Sequence, residues 1–312
     1  MAAWLWILLG GVGLWAGGEL LVSGARRLSL RWGLEPLVVG LTVVALGTST
    51  PELAASVAAA LRGSPEVAFG NVVGSNIANL GLILGAGALL TPLRVQGRFL
   101  VREVPFLLGS AMVLIAMVWD ERLSRPEGVA LLVLLVGFVV VLLRGGEVEE
   151  VVEEFETGIR DGRDGLLLDL VSVATGIGIL VLGARWFVGG AVTLAENAGI
   201  SERVIGLTLV AFGTSLPELA STLAAARRAE GDILIGNLVG SNVFNVLFIL
   251  GATGLVRPLA VARRTAELDL AVMIGVSLLV GLLLGRALRL QRLEGALLVA
   301  VYLGYVVWLF AA

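Results

Sequence analysis

Long apolar runs follow one another along the whole chain, separated by short clusters of Arg, Pro, Gly and acidic residues. The runs reach about 20 residues or more, enough to cross a hydrocarbon core of about 30 Å as helices. The pattern predicts ten spans, at 3–24, 36–61, 66–91, 99–119, 126–143, 166–194, 202–226, 232–254, 266–285 and 292–311. The first of these has no basic leader and reads as a retained span. The expected fold class is an all-α polytopic membrane protein.

The polar residues inside these runs repeat. At a constant shift of 166 residues, 26 of the 46 positions between Gly40 and Gly85 match those between Gly206 and Gly251 without a gap. Chance similarity of apolar helices would not keep Gly, Thr, Ser, Pro, Glu and Asn in step, so the chain is an internal duplication. Five spans separate each element from its copy. Because five is odd, the copies run through the bilayer in opposite directions, as in secondary transporters that hold ligands at the midplane between inverted halves. The expected organisation is a five-helix repeat over 1–143, an acidic cytoplasmic linker over 144–165 and a second five-helix repeat over 166–312. With the N-terminus outside, fourteen Arg fall in inner loops and seven in outer ones. The positive-inside rule then puts both termini outside in a plasma or inner membrane.

Composition narrows the chemistry. The chain of 312 residues is 58% apolar and 15% charged, and it holds neither Cys nor His. Thiolate and imidazole chemistry are excluded, which leaves carboxylates, amides, hydroxyls and carbonyls, the hard oxygen ligands of Na⁺, Ca²⁺, Mg²⁺ or Mn²⁺. An intramembrane hydrolase fails for want of a base beside Ser49. No enzyme, cofactor or nucleic-acid role is expected.

Glu52 and Glu218 sit near the centres of spans two and seven. A charge there costs at least about 2.5 kcal/mol, so each calls for a compensating partner: a cation, a proton or a structural ion pair. Only Arg185 could reach in as a basic partner. Pro51 and Pro217 precede the acids, and proline kinks a helix and strips the carbonyl four residues back of its donor. In lipid, freed carbonyls need new partners, which a cation can supply. Thr48, Ser49, Thr214 and Ser215 add hydroxyls within a turn. Spans three and eight add "GNVVGSNIANLGLILG" (70–85) and "GNLVGSNVFNVLFILG" (236–251). There Ser75 with Asn79, and Ser241 with Asn245, share a helix face. Asn71 and Asn237 extend that face, Asn76 and Asn242 lie one residue off it and are expected to bond to neighbouring helices, and Gly70, Gly74, Gly236 and Gly240 permit close helix contact. Structural hydrogen bonding remains the alternative role for the amides. Two carboxylates balance one Ca²⁺, two Na⁺ or two protons; a third Na⁺ would make the cycle electrogenic.

Two copies of "G-T-S-x-P-E" followed by "G-N-x-x-G-S-N-x-x-N", at 40–85 and 206–251, resemble the repeats of the cation/calcium exchanger superfamily, in particular prokaryotic Na⁺/Ca²⁺ exchangers. The resemblance implies four clustered cation sites shared by Na⁺ and Ca²⁺. Glu52 and Glu218 would be the central ligands, with carbonyls from Thr48 and Thr214. Ser49, Ser75 and the carbonyl of Ala45 would form one outer site; Ser215, Ser241 and the carbonyl of Ala211 would form its mirror. Asn79 and Asn245 would face the middle. It further implies that spans one and six slide against the other eight. Potassium-dependent members carry Asp where this chain has Asn, so no K⁺ transport is expected. A monomer suffices for such transport. The rival readings are a Ca²⁺/H⁺ antiporter, since buried carboxylates also bind protons, and a passive cation channel. Glu19 and its repeat partner Arg185 are expected to form a structural or gating pair. The eight acids between Glu147 and Asp164 follow no EF-hand pattern and read as a solvated linker.

Overall fold

The computed structural model describes residues 2–144, 163–199, 211–261 and 263–311. It is nearly all helical. In chain order the helices are α1 (Ala2–Trp32), α2 (Pro36–Thr48), α3 (Thr50–Leu61), α4 (Pro65–Leu90), α5 (Gly97–Met117) and α6 (Arg125–Arg144), then α7 (Arg163–Asn197), α8 (Ala211–Thr214), α9 (Leu216–Arg227), α10 (Gly231–Val256), α11 (Arg263–Ala287) and α12 (Arg292–Ala311). Among the described residues eight helices are long and apolar enough to cross a membrane, or nine if α2 and α3 form one bent span. Span seven, expected at 202–226, is described only from residue 211, and most of the expected linker, 145–162, lies outside the described residues.

Helices prevail because only helices satisfy their own backbone groups in lipid, short of a closed barrel. The α4 and α10 windows are 78% and 94% buried, whereas that of α12 is 11% buried. The two duplicated motif helices are therefore the inner members of the bundle. Their packing surface includes Phe69, Ile77, Leu80, Leu234 and Leu238, all fully buried. Helix α1 runs eight residues beyond its expected end. Arg26, Arg27 and Arg31 do not stop it, because they find Glu230 and Asp169 as partners.

Helices α1 and α7 pack backbone to backbone. A Cβ on Gly10 would meet the amide of Phe187 at 2.5 Å, on Gly17 that of Leu180 at 2.7 Å, and on Gly24 that of Val173 at 3.2 Å. From the other side, Gly176, Gly183 and Gly190 meet the amides of Leu21, Leu14 and Ile7 at 2.7, 2.8 and 3.0 Å. Every one of these pairs sums to 197, so the helices are antiparallel in a single register with glycines every seven residues. The glycines of α7 are the copies of those of α1, 166 residues on.

Four two-residue strands close the ends of the bundle. β1 (Leu93–Arg94) pairs with β4 (Arg289–Leu290), and β2 (Arg122–Leu123) pairs with β3 (Leu259–Ala260), both antiparallel. Each pair joins one half of the chain to the other.

Candidate cation site

The chain breaks where the sequence predicts. α2 and α3 meet at 44° across Ser49, whose ψ of 6° leaves the helical range. Ser215 repeats the geometry between α8 and α9, at φ −91° and ψ 7°. Pro51 and Pro217 then sit in the first turn of a new helix, where a missing amide donor removes no bond. Glu52 and Glu218 fall in the same first turn, so the positive end of each helix dipole faces the carboxylate. This partly offsets the burial of the two acids, each 1% exposed.

The halves hold one another reciprocally. Ser49 donates to Glu218 Oε1 at 3.1 Å, and Ser215 donates to Glu52 Oε1 at 3.2 Å. Thr48 donates to Asn237 Oδ1 at 3.1 Å, and Thr214 to Asn71 Oδ1 at 3.5 Å. Asn76 and Asn242 each donate to the other's backbone carbonyl at 3.2 Å. The same two residues accept from the candidate amides: Asn79 Nδ2 reaches Asn242 Oδ1 at 3.0 Å, and Asn245 Nδ2 reaches Asn76 Oδ1 at 2.9 Å. The one-residue offset of Asn76 and Asn242 thus places them on the neighbouring repeat. Asn71 also donates to the Glu52 carbonyl at 3.3 Å and to Ser56 at 3.0 Å, tying α4 to the broken helix.

This bonding engages the amide donors of Asn79 and Asn245 and leaves acceptor oxygens over. Glu52 Oε2, Glu218 Oε2, Asn79 Oδ1, Asn245 Oδ1 and Ser241 Oγ are buried without a hydrogen-bond partner among the described residues. A buried polar atom left unpaired costs about 1–3 kcal/mol, more when charged. Oxygens alone, from two acids, two amides and a hydroxyl, suit a hard cation. Among the described residues no group of three acidic side chains could hold a metal, so the cluster carries two formal negative charges. Ser75 Oγ lies 3.4 Å from Ser215 Oγ, where it can donate to the hydroxyl that itself donates to Glu52. The Ala45 carbonyl accepts from the Ser49 amide at 3.0 Å and from the Thr48 hydroxyl at 3.4 Å. The Ser215 amide donates to Phe212 at 3.1 Å. Ala211 opens α8 one turn before Ser215.

Sequence reasoning missed one feature. π-helical turns occupy Gly40–Val44, Asn79–Ile83 and Asn245–Leu250. Two of them begin at the candidate residues Asn79 and Asn245. Such turns widen the helix by a residue and concentrate at functional sites. Gly236 and Gly240 make the close contacts expected of them, against the carbonyls of Leu37 and Leu41 at 2.5 Å. Gly70 and Gly74 meet nothing among the described residues; the copies of Leu37 and Leu41, at 203 and 207, lie outside them. The expected Glu19–Arg185 pair does not form. Glu19 instead accepts from Arg228 at 2.6 Å, while Arg185 is exposed on α7. The register of α1 and α7 explains this: position 19 is level with 178, seven residues or about 10 Å from 185.

Acceptor oxygens supplied in copies by the two halves and buried between membrane helices define an integral membrane protein that takes up hard cations. The chain belongs to the sodium/calcium exchanger protein family, whose model matches residues 2–144 and 168–311. It is 35% identical to sodium/calcium exchanger MaX1 of Methanosarcina acetivorans, over 97% of each chain. It is 38% identical to inner membrane protein YrbG of Escherichia coli, over 93% of this chain and 90% of that one. The structure of the sodium-calcium exchanger NCX_Mj, from crystals soaked with Na⁺ and Sr²⁺, superposes with a TM-score of 0.87 at 32% identity, covering 98% of both chains.

Proposed function

We propose that the protein exchanges Na⁺ for Ca²⁺ across the membrane by alternating access, with ten spans in two inverted five-helix repeats and both termini outside. The observation that carries this is the set of copied acceptors without partners: Glu52 and Glu218 Oε2 with Asn79 and Asn245 Oδ1. In this reading the acids are shared central ligands, neutralised by one Ca²⁺ or two Na⁺. Ser49, Ser75 and the Ala45 carbonyl flank them on one side; Ser215, Ser241 and the Ala211 carbonyl flank them on the other. The Thr48 and Thr214 carbonyls complete the shell. A loaded site is near neutral, while an unloaded one holds two buried charges, a penalty that favours crossing only with cargo.

Several contacts support the inverted arrangement. Both strand pairs join loops that it places on one side of the membrane, 93–94 with 289–290 and 122–123 with 259–260. So do Arg98 with Glu35, and Arg257 with the carbonyls of Ala60 and Leu61. The antiparallel α1–α7 pair fits it as well, and would be the unit that slides. The names of MaX1 and NCX_Mj as sodium/calcium exchangers support Na⁺ as the driving ion.

The test is Ca²⁺ uptake into proteoliposomes driven by an outward Na⁺ gradient with pH clamped on both sides. Uptake that follows the Na⁺ gradient is the expected result. Uptake only under a proton gradient would replace Na⁺ by H⁺ in the cycle, and Ca²⁺ flux indifferent to any counter-ion would mean a channel.

A further inference from the structure

A cleft of about 360 Å³ opens between α1 and α9, starting one residue beyond Ser215 and lined by none of the cation-site side chains. Its walls are Gly11, Leu14 and Trp15 on one helix and a stripe from Leu216 through Leu219 and Leu223 to Arg227 on the other. Each set follows helical spacing, so each is one face. Apart from Arg227, every lining residue is apolar. No carboxylate, amide or hydroxyl lines it, which rules it out as a route for hydrated ions. The helices touch at Gly18, where a Cβ would meet the Ala220 carbonyl at 2.9 Å, and part toward Gly11, where a Cβ would meet nothing among the described residues.

The far end of the cleft is rich in Arg. Arg26, Arg27, Arg31 and Arg228 engage Glu230, Asp169 and Glu19. Arg227, exposed beside them at the mouth of the cleft, has no carboxylate partner among the described residues. Five guanidinium groups thus gather at this end, and of these Arg227 is the one without a carboxylate partner among the described residues. From Leu216 to Arg227 the stripe runs eleven residues, or about 16 Å. This is the depth of one leaflet, half of a hydrocarbon core of about 30 Å.

We infer that this cleft binds one anionic phospholipid, its acyl chain along the α1–α9 groove and its phosphate on Arg227. Basic pockets between membrane helices hold anionic headgroups in this way. The lipid would occupy the seam between the α1–α7 pair and the rest of the bundle, where its presence bears on any relative movement.

The experiment is native mass spectrometry of the full chain in detergent, titrated with phosphatidylglycerol or with phosphatidylcholine. Wild type should retain one phosphatidylglycerol in preference to phosphatidylcholine, and inorganic phosphate should not displace it. Arg227→Gln should weaken that retention about fivefold, the effect of one basic residue at a membrane surface. Gly11→Leu, which fills open space, should abolish it with Arg227 intact. Equal retention of the two lipids overturns the proposal, as does displacement by inorganic phosphate. Unchanged retention in Gly11→Leu also overturns it, since a headgroup contact alone needs no cleft. Should Gly11→Leu fail to fold, the exposed Arg227→Gln and the pair of lipids still decide.

Discussion

Replacing Glu218 by Gln keeps the size and the Ser49 contact of the side chain and removes one of the two charges in the cluster. With both acids, bound Ca²⁺ leaves no net charge; with one, it leaves a single positive charge between membrane helices. On insertion scales that charge costs at least about 2.5 kcal/mol, equivalent to Ca²⁺ binding about 70-fold weaker. The same change acts in the opposite direction without Ca²⁺. Glu52 and Glu218 are each 1% exposed, and no basic residue among the described ones bonds to either. Removing one buried charge should therefore stabilise the protein when no divalent ion is present. Two thermal measurements separate these effects. At a Ca²⁺ concentration 100 times the wild-type Kd, binding adds about 2.7 kcal/mol to wild-type stability. At the same concentration a 70-fold weaker site adds about 0.5 kcal/mol. The expected variant is thus more stable than wild type in chelator, nearly indifferent to Ca²⁺, and inactive in Na⁺-driven uptake. Glu52→Gln should behave alike. A variant that loses stability in chelator would point to a structural role for the acid. Wild-type uptake in either variant would refute the site.

Asn242→Ala removes the acceptor that holds the Asn79 amide, and Asn76→Ala does the same to Asn245. Each should weaken Ca²⁺ binding 10- to 100-fold, the usual effect of losing a group that orients a ligand. Equilibrium binding of radioactive Ca²⁺ measures both, and an effect in only one would contradict the reciprocal arrangement. Gly183→Ala places a Cβ 2.8 Å from the Leu14 amide and 3.0 Å from the Gly10 carbonyl. It should cost about 1–3 kcal/mol in thermal unfolding. Gly178→Ala, on the same helix but with nothing near among the described residues, should be neutral or stabilising by up to about 1 kcal/mol. Equal losses in the two would remove the case for the glycine seam. Arg228→Gln breaks the bond to Glu19, but with the Arg 41% exposed the change in unfolding free energy should stay below about 1 kcal/mol.

The two acids were legible because the sequence isolates them. A Glu inside an apolar run, preceded by Pro and repeated 166 residues on, has few structural explanations, and the break at Ser49 follows from the chemistry of Pro51. The Asn76–Asn242 crossing was legible in part: their offset from the ligand face assigned them to neighbouring helices, without saying that each would find the other. The π turns were not legible. A hydrogen bond shifted by one residue leaves no demand on residue type, and "NLGLI" and "NVLFI" suit an α-helix equally well. Glu19 was paired wrongly because repeat equivalence was read as proximity. Copies in a two-fold pair face one another only near the axis, and the α1–α7 register carries positions 19 and 185 apart.

The departures from two-fold symmetry bear on the proposed transport cycle. Ser215 bonds to Ser75, yet Ser241, the copy of Ser75, has no partner among the described residues. Ile177 of α7 packs on Gly47, whereas its repeat equivalent in α1 is Gly11, which leaves open space. A second arrangement with these roles exchanged would contain nearly the same contacts, because 26 of 46 motif positions are shared. Two such arrangements differ little in energy, so modest differences in cargo binding suffice to shift the population between them. The polar positions Thr48, Ser49, Glu52, Ser75 and Asn79 recur unchanged as Thr214, Ser215, Glu218, Ser241 and Asn245, while Gly11 and Ile177 differ between the halves. Duplication thus keeps the site alike from both sides, and the seam between the α1–α7 pair and the bundle is where the two states can be told apart.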